Sequence, residues 1–171
     1  MSSSTLGAKI TDPSWVLDPI TTINGVHIAL IISSDGMVVG ASKGTNRGPA
    51  DRANSDMDER ATRDTVDRIS AAISPLHGAG RAAAVQALGA HEKTPISTIT
   101  VHLDADPTSQ DGVSAGTLMV MPAGEGTNAY IAAAFGPATP MGIIAQTMAK
   151  QAKNLSEQLM TVSSRNDGPA S

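Results

Sequence analysis

Histidine, cysteine and serine are the residue types through which this sequence could bind a metal or form a covalent intermediate. The four histidines are dispersed, and the pair His91 and Glu92 is followed by Pro95 where a His-Glu-x-x-His zinc site needs its second histidine. There is no cysteine, which excludes thiolate zinc sites, cysteine nucleophiles and disulfides. A serine nucleophile would require a strained elbow or a base within reach, and none is predicted. The sequence therefore predicts no catalytic residue and no metal site, and we expect that the protein is not an enzyme.

Two glycine-rich stretches match the dinucleotide-binding pattern. They are Gly78, Gly80 and Ala83, and then Gly124, Gly126 and Ala129. The pattern binds a pyrophosphate only as the turn between a strand and a helix. The first stretch lies inside a helical pattern and the second joins two predicted strands. Both are interpreted as kink or hairpin residues, and no cofactor is predicted.

Acidic and basic residues alternate at helical spacing between Asp51 and Arg68. This pattern is typical of a solvated helix face, and its functional alternative is a charged surface that docks another protein. The candidate partner-binding residues are Arg63, Asp67, Arg68 and Arg81.

Composition restricts the class of partner. The formal net charge is -4, without a basic block, and aromatic residues make up 2% of the chain, which argues against nucleic-acid binding. No apolar run approaches the roughly 18 residues of a membrane span, and Met1 to Lys9 lacks the order of a signal peptide. We expect a cytoplasmic protein that does not insert into membranes.

The first half of the chain predicts a helix, a hairpin and a second helical region. Asp12 is the expected N-cap, Pro13 the first helical residue, and Pro19 should keep the helix short or kinked. Strands are predicted at Val26–Ser33 and Met37–Ser42, joined by a two-residue turn with Asp35 and Gly36 at positive φ. From Ala50 to Gly89 the pattern predicts either one kinked helix or two shorter ones.

The second half predicts three strands and a closing helix. Pro95 to Asp104 alternates, with Thr98, Thr100 and His102 on a face that is either wet or interfacial. Two further strands are predicted at 117–121 and 128–135. The helix from Thr139 to Val162 should pack on the sheet, with a coiled-coil seam as the alternative.

These elements predict one α/β domain. The fold is a single five-stranded antiparallel sheet with helices on both faces, in the order α-β-β-α-β-β-β-α. The domain spans residues 11–162, between disordered tails at 1–10 and 163–171, whose compositions cannot bury enough surface to fold.

The ordered set of these elements resembles the roadblock (dynein light chain) domain family. The likeness is carried by Trp15 in the first helix, Asn24-Gly25-Val26 before an apolar run, and Ser34-Asp35-Gly36 in the first hairpin. Val101 to Asp104 as a central strand, the two strands that follow and the amphipathic closing helix agree with it. The resemblance covers about Asp12 to Val162.

The resemblance implies a dimer in which the middle strand pairs across an axis and the central helices lie side by side. It thereby places Thr98, Thr100 and His102 at a dimer interface. It also implies a platform or regulator of a Ras-like small GTPase, of the actinobacterial type associated with GTPases and sensor kinases. The alternatives left open are a nucleotide-independent adaptor or scaffold, and a small-molecule sensor with His27 or His102 as polar anchors.

Overall fold

The computed structural model of the chain describes residues 12–44, 55–104, 115–124 and 128–166, with the backbone alone at 55–62 and 159–166. The elements follow the predicted order. They are α1 (Ser14–Thr21), β1 (Val26–Ser33), β2 (Val38–Lys43), α2 (Ser55–Leu88), β3 (Ile99–Leu103), β4 (Gly116–Pro122), β5 (Ala129–Phe135) and α3 (Met141–Asn166). Both proposed tails fall largely outside the described residues, although α3 continues to Asn166, four residues beyond the predicted domain end.

The five strands form one antiparallel sheet in the order β2-β1-β5-β4-β3. The central strand is β5, which pairs with β1 from Val26 opposite Phe135 to Ser33 opposite Ala129, and with β4 on its other side. The expectation that Val101 to Asp104 is a central strand is therefore wrong. β5 inserts beside β1, and the hairpin of β3 and β4 extends outward from it, so β3 lies at the edge.

Helices cover both faces of the sheet, as predicted. On one face, α1 and α3 pack over a core that includes Leu17, Ile31, Phe135, Met148 and Leu155. On the other, α2 packs through Val66 and Ile73 onto Leu30, Ile32 and Val120. The core is aliphatic, as the scarcity of aromatic residues requires.

Helix α1 begins at Ser14, one residue after the predicted start, with Pro13 rather than Asp12 at the N-cap position. The carboxylate of Asp12 accepts hydrogen bonds from the backbone N–H of Ser14 at 2.9 Å and from its hydroxyl at 2.6 Å. Pro13 has helical dihedral angles, and its carbonyl accepts the N–H groups of Val16 and Leu17. The helix is eight residues long with Pro19 inside it, which confirms the prediction of a short helix.

The first hairpin differs from its prediction. Only Gly36 has a positive φ, at 85°, and the Ser33 N–H donates to the Met37 carbonyl across a three-residue loop of Ser34, Asp35 and Gly36. The Asp35 carboxylate instead accepts a hydrogen bond from the Ser33 hydroxyl. A three-residue loop needs only one left-handed residue, which Gly36 supplies, so Asp35 keeps the negative φ that is usual for a residue with a side chain.

The central helical region is one helix of 34 residues with Pro75 inside it, which decides between the two alternatives. It ends at Leu88, because Gly89 follows with φ of 61° and the Ala90 N–H returns to the Val85 carbonyl at 3.1 Å. This is the glycine-terminated cap typical of helix ends.

Helix α3 packs on the sheet. Its buried stripe runs through Ile144, Met148, Ala152 and Leu155, whereas Met141 in its first turn is 46% exposed. Because these positions contact the chain's own core, they are not free to form a coiled-coil seam.

Candidate functional site

The outer edge of β3 is the first candidate interaction site. Within the described residues, β3 pairs with β4 on one side only, so its other side presents unpaired backbone N–H and C=O groups. The strand is shorter than predicted, since residues 95–98 are not in regular strand conformation. An edge strand of this kind is the element to which another strand can add.

The three residues predicted for a dimer interface lie at or beside this edge. Thr100 is exposed, and Thr98 is half-buried one residue before β3 begins. His102 is exposed, yet its Nδ1 lies 2.9 Å from the hydroxyl of the buried Thr117 on β4, and its Nε2 lies 3.7 Å from Asp104 Oδ1. The structure therefore brings these residues together on the edge strand, and it orients the His102 ring through Thr117.

The opposite side of β3 is apolar and incompletely covered. Ile99 and Val101 are half-buried and Leu103 is 60% exposed. Helix α2 crosses this face of the sheet, but from residue 63 onward its buried side chains are only Val66, Ser70 and Ile73. At its end, Leu88 is 80% exposed. The face thus retains apolar surface that a further element could cover.

The solvent side of α2 carries three of the four predicted partner-binding residues. Arg63, Asp67 and Arg68 are exposed and follow one another within two helical turns. Arg81 is separate, because thirteen residues of helix rise place it roughly 20 Å from Arg68. Its guanidinium donates to the carbonyl of Glu92 and is only half-exposed.

A cleft of about 780 Å³ opens at the end of the sheet where β4 finishes and β5 starts. One wall is the second half of α2 with the segment at 93–97, and the other is α3. Its floor includes Met121, Pro122 and Tyr130. Sequence reasoning missed this cleft, because its walls come from segments far apart in the chain.

His77 and Tyr130 form a polar pair at the cleft. The tyrosine hydroxyl lies 3.3 Å from His77 Nδ1, and the ring centroids are 4.8 Å apart. Burial, and secondarily the positive charge of Arg81, lowers the pKa of His77 from 6.5, whereas burial raises the pKa of Tyr130. Both groups are therefore uncharged near neutral pH, and His77 Nε2 is buried without a hydrogen-bond partner.

The glycine-containing motifs of the sequence do not lie in the structural context that their functions require. Gly78 and Gly80 lie inside α2, and Gly124, with φ of 95°, follows β4; Gly126 falls outside the described residues. The sequence also contains a Gly-x-Ser-x-Gly pattern from Gly112 to Gly116, of which residues 112–114 lie outside the described residues. Gly116 begins β4, whereas a nucleophile elbow leads from a strand into a helix, so the pattern has the wrong context.

Among the described residues, no three His, Asp or Glu side chains are grouped so that they could hold a metal ion. No helix there is both long and apolar enough to cross a bilayer. His27 and His102, the proposed anchors of a small-molecule pocket, do not line the cleft.

Comparison with known proteins assigns the architecture. The structure matches a Roadblock/LC7 domain from Streptomyces avermitilis with a TM-score of 0.61 and 21% sequence identity, over 88% of this chain and 99% of that one. The chain has the roadblock fold. No family model and no curated protein matches the sequence, so the likeness lies in the structure.

Other roadblock-fold structures are also similar. The gliding protein MglB from Thermus thermophilus has a TM-score of 0.60 and 16% identity, over 88% of this chain and 90% of that one. An MglB described with a tetrameric arrangement has a TM-score of 0.58 and 15% identity, over 92% of each chain. The roadblock resemblance proposed from the sequence is confirmed at the level of fold.

Proposed function

We propose that this chain is a non-catalytic, dimeric protein-interaction module that regulates or localises a Ras-like small GTPase in a bacterial signalling system, with a sensor kinase as a further partner. The observation that carries the proposal is the free edge of β3 beside an incompletely covered apolar face, on a roadblock fold. A surface built in this way is suited to binding protein rather than to transforming a small substrate.

The proposed dimer forms through the free edge of β3. Two copies that pair β3 with β3 in antiparallel orientation would join their sheets and satisfy the unpaired backbone groups. The same arrangement would bring the two α2 helices together over Ile99, Val101 and Leu103, whose surface α2 of one copy does not fully cover. Thr98, Thr100 and His102 would then lie at the interface on the other face of the sheet. One similar MglB structure is itself described as an assembly of several copies.

The GTPase is assigned to the charged solvent face of α2. Arg63, Asp67 and Arg68 are exposed, so they can meet a complementary surface without breaking a packed core. A platform of this kind acts by ordering the switch loops of the GTPase or by presenting an arginine to its nucleotide. Arg81, bound to the Glu92 carbonyl, would border this surface from the far half of the helix.

The first test is affinity capture from a native lysate with the tagged full chain, in the presence of either GDP or a non-hydrolysable GTP analogue. Enrichment of a small GTPase under one nucleotide supports the proposal, and its hydrolysis and exchange rates can then be measured with and without this protein. Capture of the same partners under both nucleotides, none of them a GTPase, contradicts it and favours a nucleotide-independent adaptor.

The docking surface has its own test. The double variant Asp67→Arg, Arg68→Glu preserves net charge while inverting the local pattern, and it should weaken GTPase binding at least tenfold. The control is Asp18→Lys, Lys150→Glu, which exchanges two exposed charges on the α1 and α3 side of the sheet. Equal binding by the two double variants, with unchanged thermal unfolding, would place the GTPase elsewhere.

A further inference from the structure

The cleft at the end of the sheet has the size and lining of a ligand site. Its volume of about 780 Å³ lies within the roughly 300–1,000 Å³ range of small-molecule pockets. Apolar side chains form much of its surface, namely Ile96, Pro95, Met121, Pro122, Ala149 and Ala152. A cleft with this lining favours a ligand whose body is apolar.

The charge of the cleft differs from that of the whole chain. Among the described residues that line it, Arg81, Lys93 and Lys153 are cationic and Glu157 alone is acidic, whereas the chain as a whole carries -4. Lys153 Nζ lies 3.9 Å from Glu157 Oε1, and both side chains are largely exposed, so this pair is loosely held. Arg81 is oriented by its hydrogen bond to the Glu92 carbonyl, which leaves its positive charge in place.

The two walls come from different helices, which pack on opposite faces of the sheet and both reach the cleft at its end. Arg81 and Lys93 belong to α2 and the segment after it, and Lys153 belongs to α3. Cations from both walls therefore flank an apolar floor. A ligand that satisfies both features has an anionic head and an apolar body.

We propose that this cleft binds a small anionic amphiphile, a molecule with a carboxylate or similar anionic group on an apolar body. The cationic side chains would hold the anion at the opening, and the apolar body would lie on Met121, Pro122 and the alanines of α3. This site goes beyond the proposed role toward a GTPase, and its binding does not depend on that partner.

The test uses decanoate as the probe, followed by isothermal titration calorimetry and by NMR shifts of the full chain. Decanol and decyltrimethylammonium provide the same apolar body with a neutral and a cationic head. Saturable binding of decanoate that exceeds both by at least tenfold is expected. Equal binding of all three probes, or no saturable binding of decanoate at millimolar concentration, overturns the proposal.

Matched variants locate the site. Lys153→Glu should weaken decanoate binding about tenfold, since a reversed charge repels the anion at close range. Lys150→Glu is the control, because Lys150 is equally exposed on α3 but does not line the cleft. If the two substitutions weaken decanoate binding equally, the binding depends only on the general surface charge and the proposed site is wrong.

A second pair of variants tests the apolar body. Ala149→Leu adds volume at the cleft wall, on an exposed helical position where folding should be preserved, and it should reduce decanoate binding several-fold. Gln146→Leu adds a leucine one turn earlier, at an exposed position outside the cleft. Unchanged binding by Ala149→Leu, with the Lys153→Glu effect present, would place the ligand outside the cleft and overturn the proposal.

Discussion

Gly25 is a position at which one added methyl group should carry two separate costs, a strained backbone and a steric clash. Its φ is +90°, and a Cβ there would lie 2.1 Å from the Thr139 hydroxyl oxygen and 3.3 Å from Thr139 Cβ. The Gly25 carbonyl also accepts the Gly136 N–H at 2.9 Å, which restrains the backbone against shifting away. The left-handed conformation costs alanine about 1–2 kcal/mol, and overpacking adds about 1–3 kcal/mol. Gly25→Ala should therefore destabilise the fold by about 2–5 kcal/mol.

The assay is urea unfolding followed by circular dichroism, at one fixed protomer concentration because association would shift the midpoint. Gly78→Ala is the matched control. It lies inside α2 with no atom within 4 Å of its new Cβ, so it should stabilise the chain by about 0.5–1 kcal/mol. A Thr139→Ala background removes the clashing hydroxyl and should recover the packing part of the Gly25→Ala cost, but not the dihedral part. The reasoning is refuted if Gly25→Ala and Gly78→Ala change stability equally.

Three other perturbations follow from the structure. Thr100→Arg, on the exposed edge of β3, should convert the dimer to a monomer in light scattering. Thr22→Arg, at an exposed position on another part of the surface, is the control and should leave the mass unchanged. A mass of one chain for the unmutated protein would contradict the dimer. The pKa of His77 is lowered in the folded chain, so protonation favours the unfolded state. The free energy of unfolding should therefore fall as the pH drops below 6.5. In urea titrations at several pH values, His77→Gln should make that dependence weaker. Leu17→Ala, at a fully buried position, should cost about 2–5 kcal/mol, while Leu88→Ala, at an 80% exposed one, should cost under about 0.5 kcal/mol in the same titration.

The elements were predictable because their signals are local. Asp12 and Pro13 start α1, Gly89 stops α2, and the run from Val26 to Ser33 is long and apolar enough to be a buried strand. The edge position of β3 was not predictable in this way. It depends on β5 pairing with β1, a contact between segments about 100 residues apart, and no local pattern specifies that pairing.

The candidate sites also differ in whether a local pattern or the assembled fold determines them. The exposed charges of Arg63, Asp67 and Arg68 follow from helical spacing, and their exposure agrees with it. Arg81 was grouped with them because it lies on the same helix, but helix rise separates it and the carbonyl of Glu92 holds it. The cleft escaped sequence reasoning altogether, because its charges and its apolar floor come together only after the sheet has formed.

The pairing of β1 with β5 also has a consequence for how the chain is made. On a ribosome, the residues of β1 emerge about 100 residues before those of β5, which at about 5–20 residues per second is a delay of roughly 5–20 s. During that interval the edge of β1 that will face β5 lacks its native neighbour, while the opposite edge can already pair with β2. The nascent domain therefore cannot complete its core until nearly all of it has been synthesised. Its long-range strand pairing favours slow folding and leaves an early apolar hairpin for chaperones to protect.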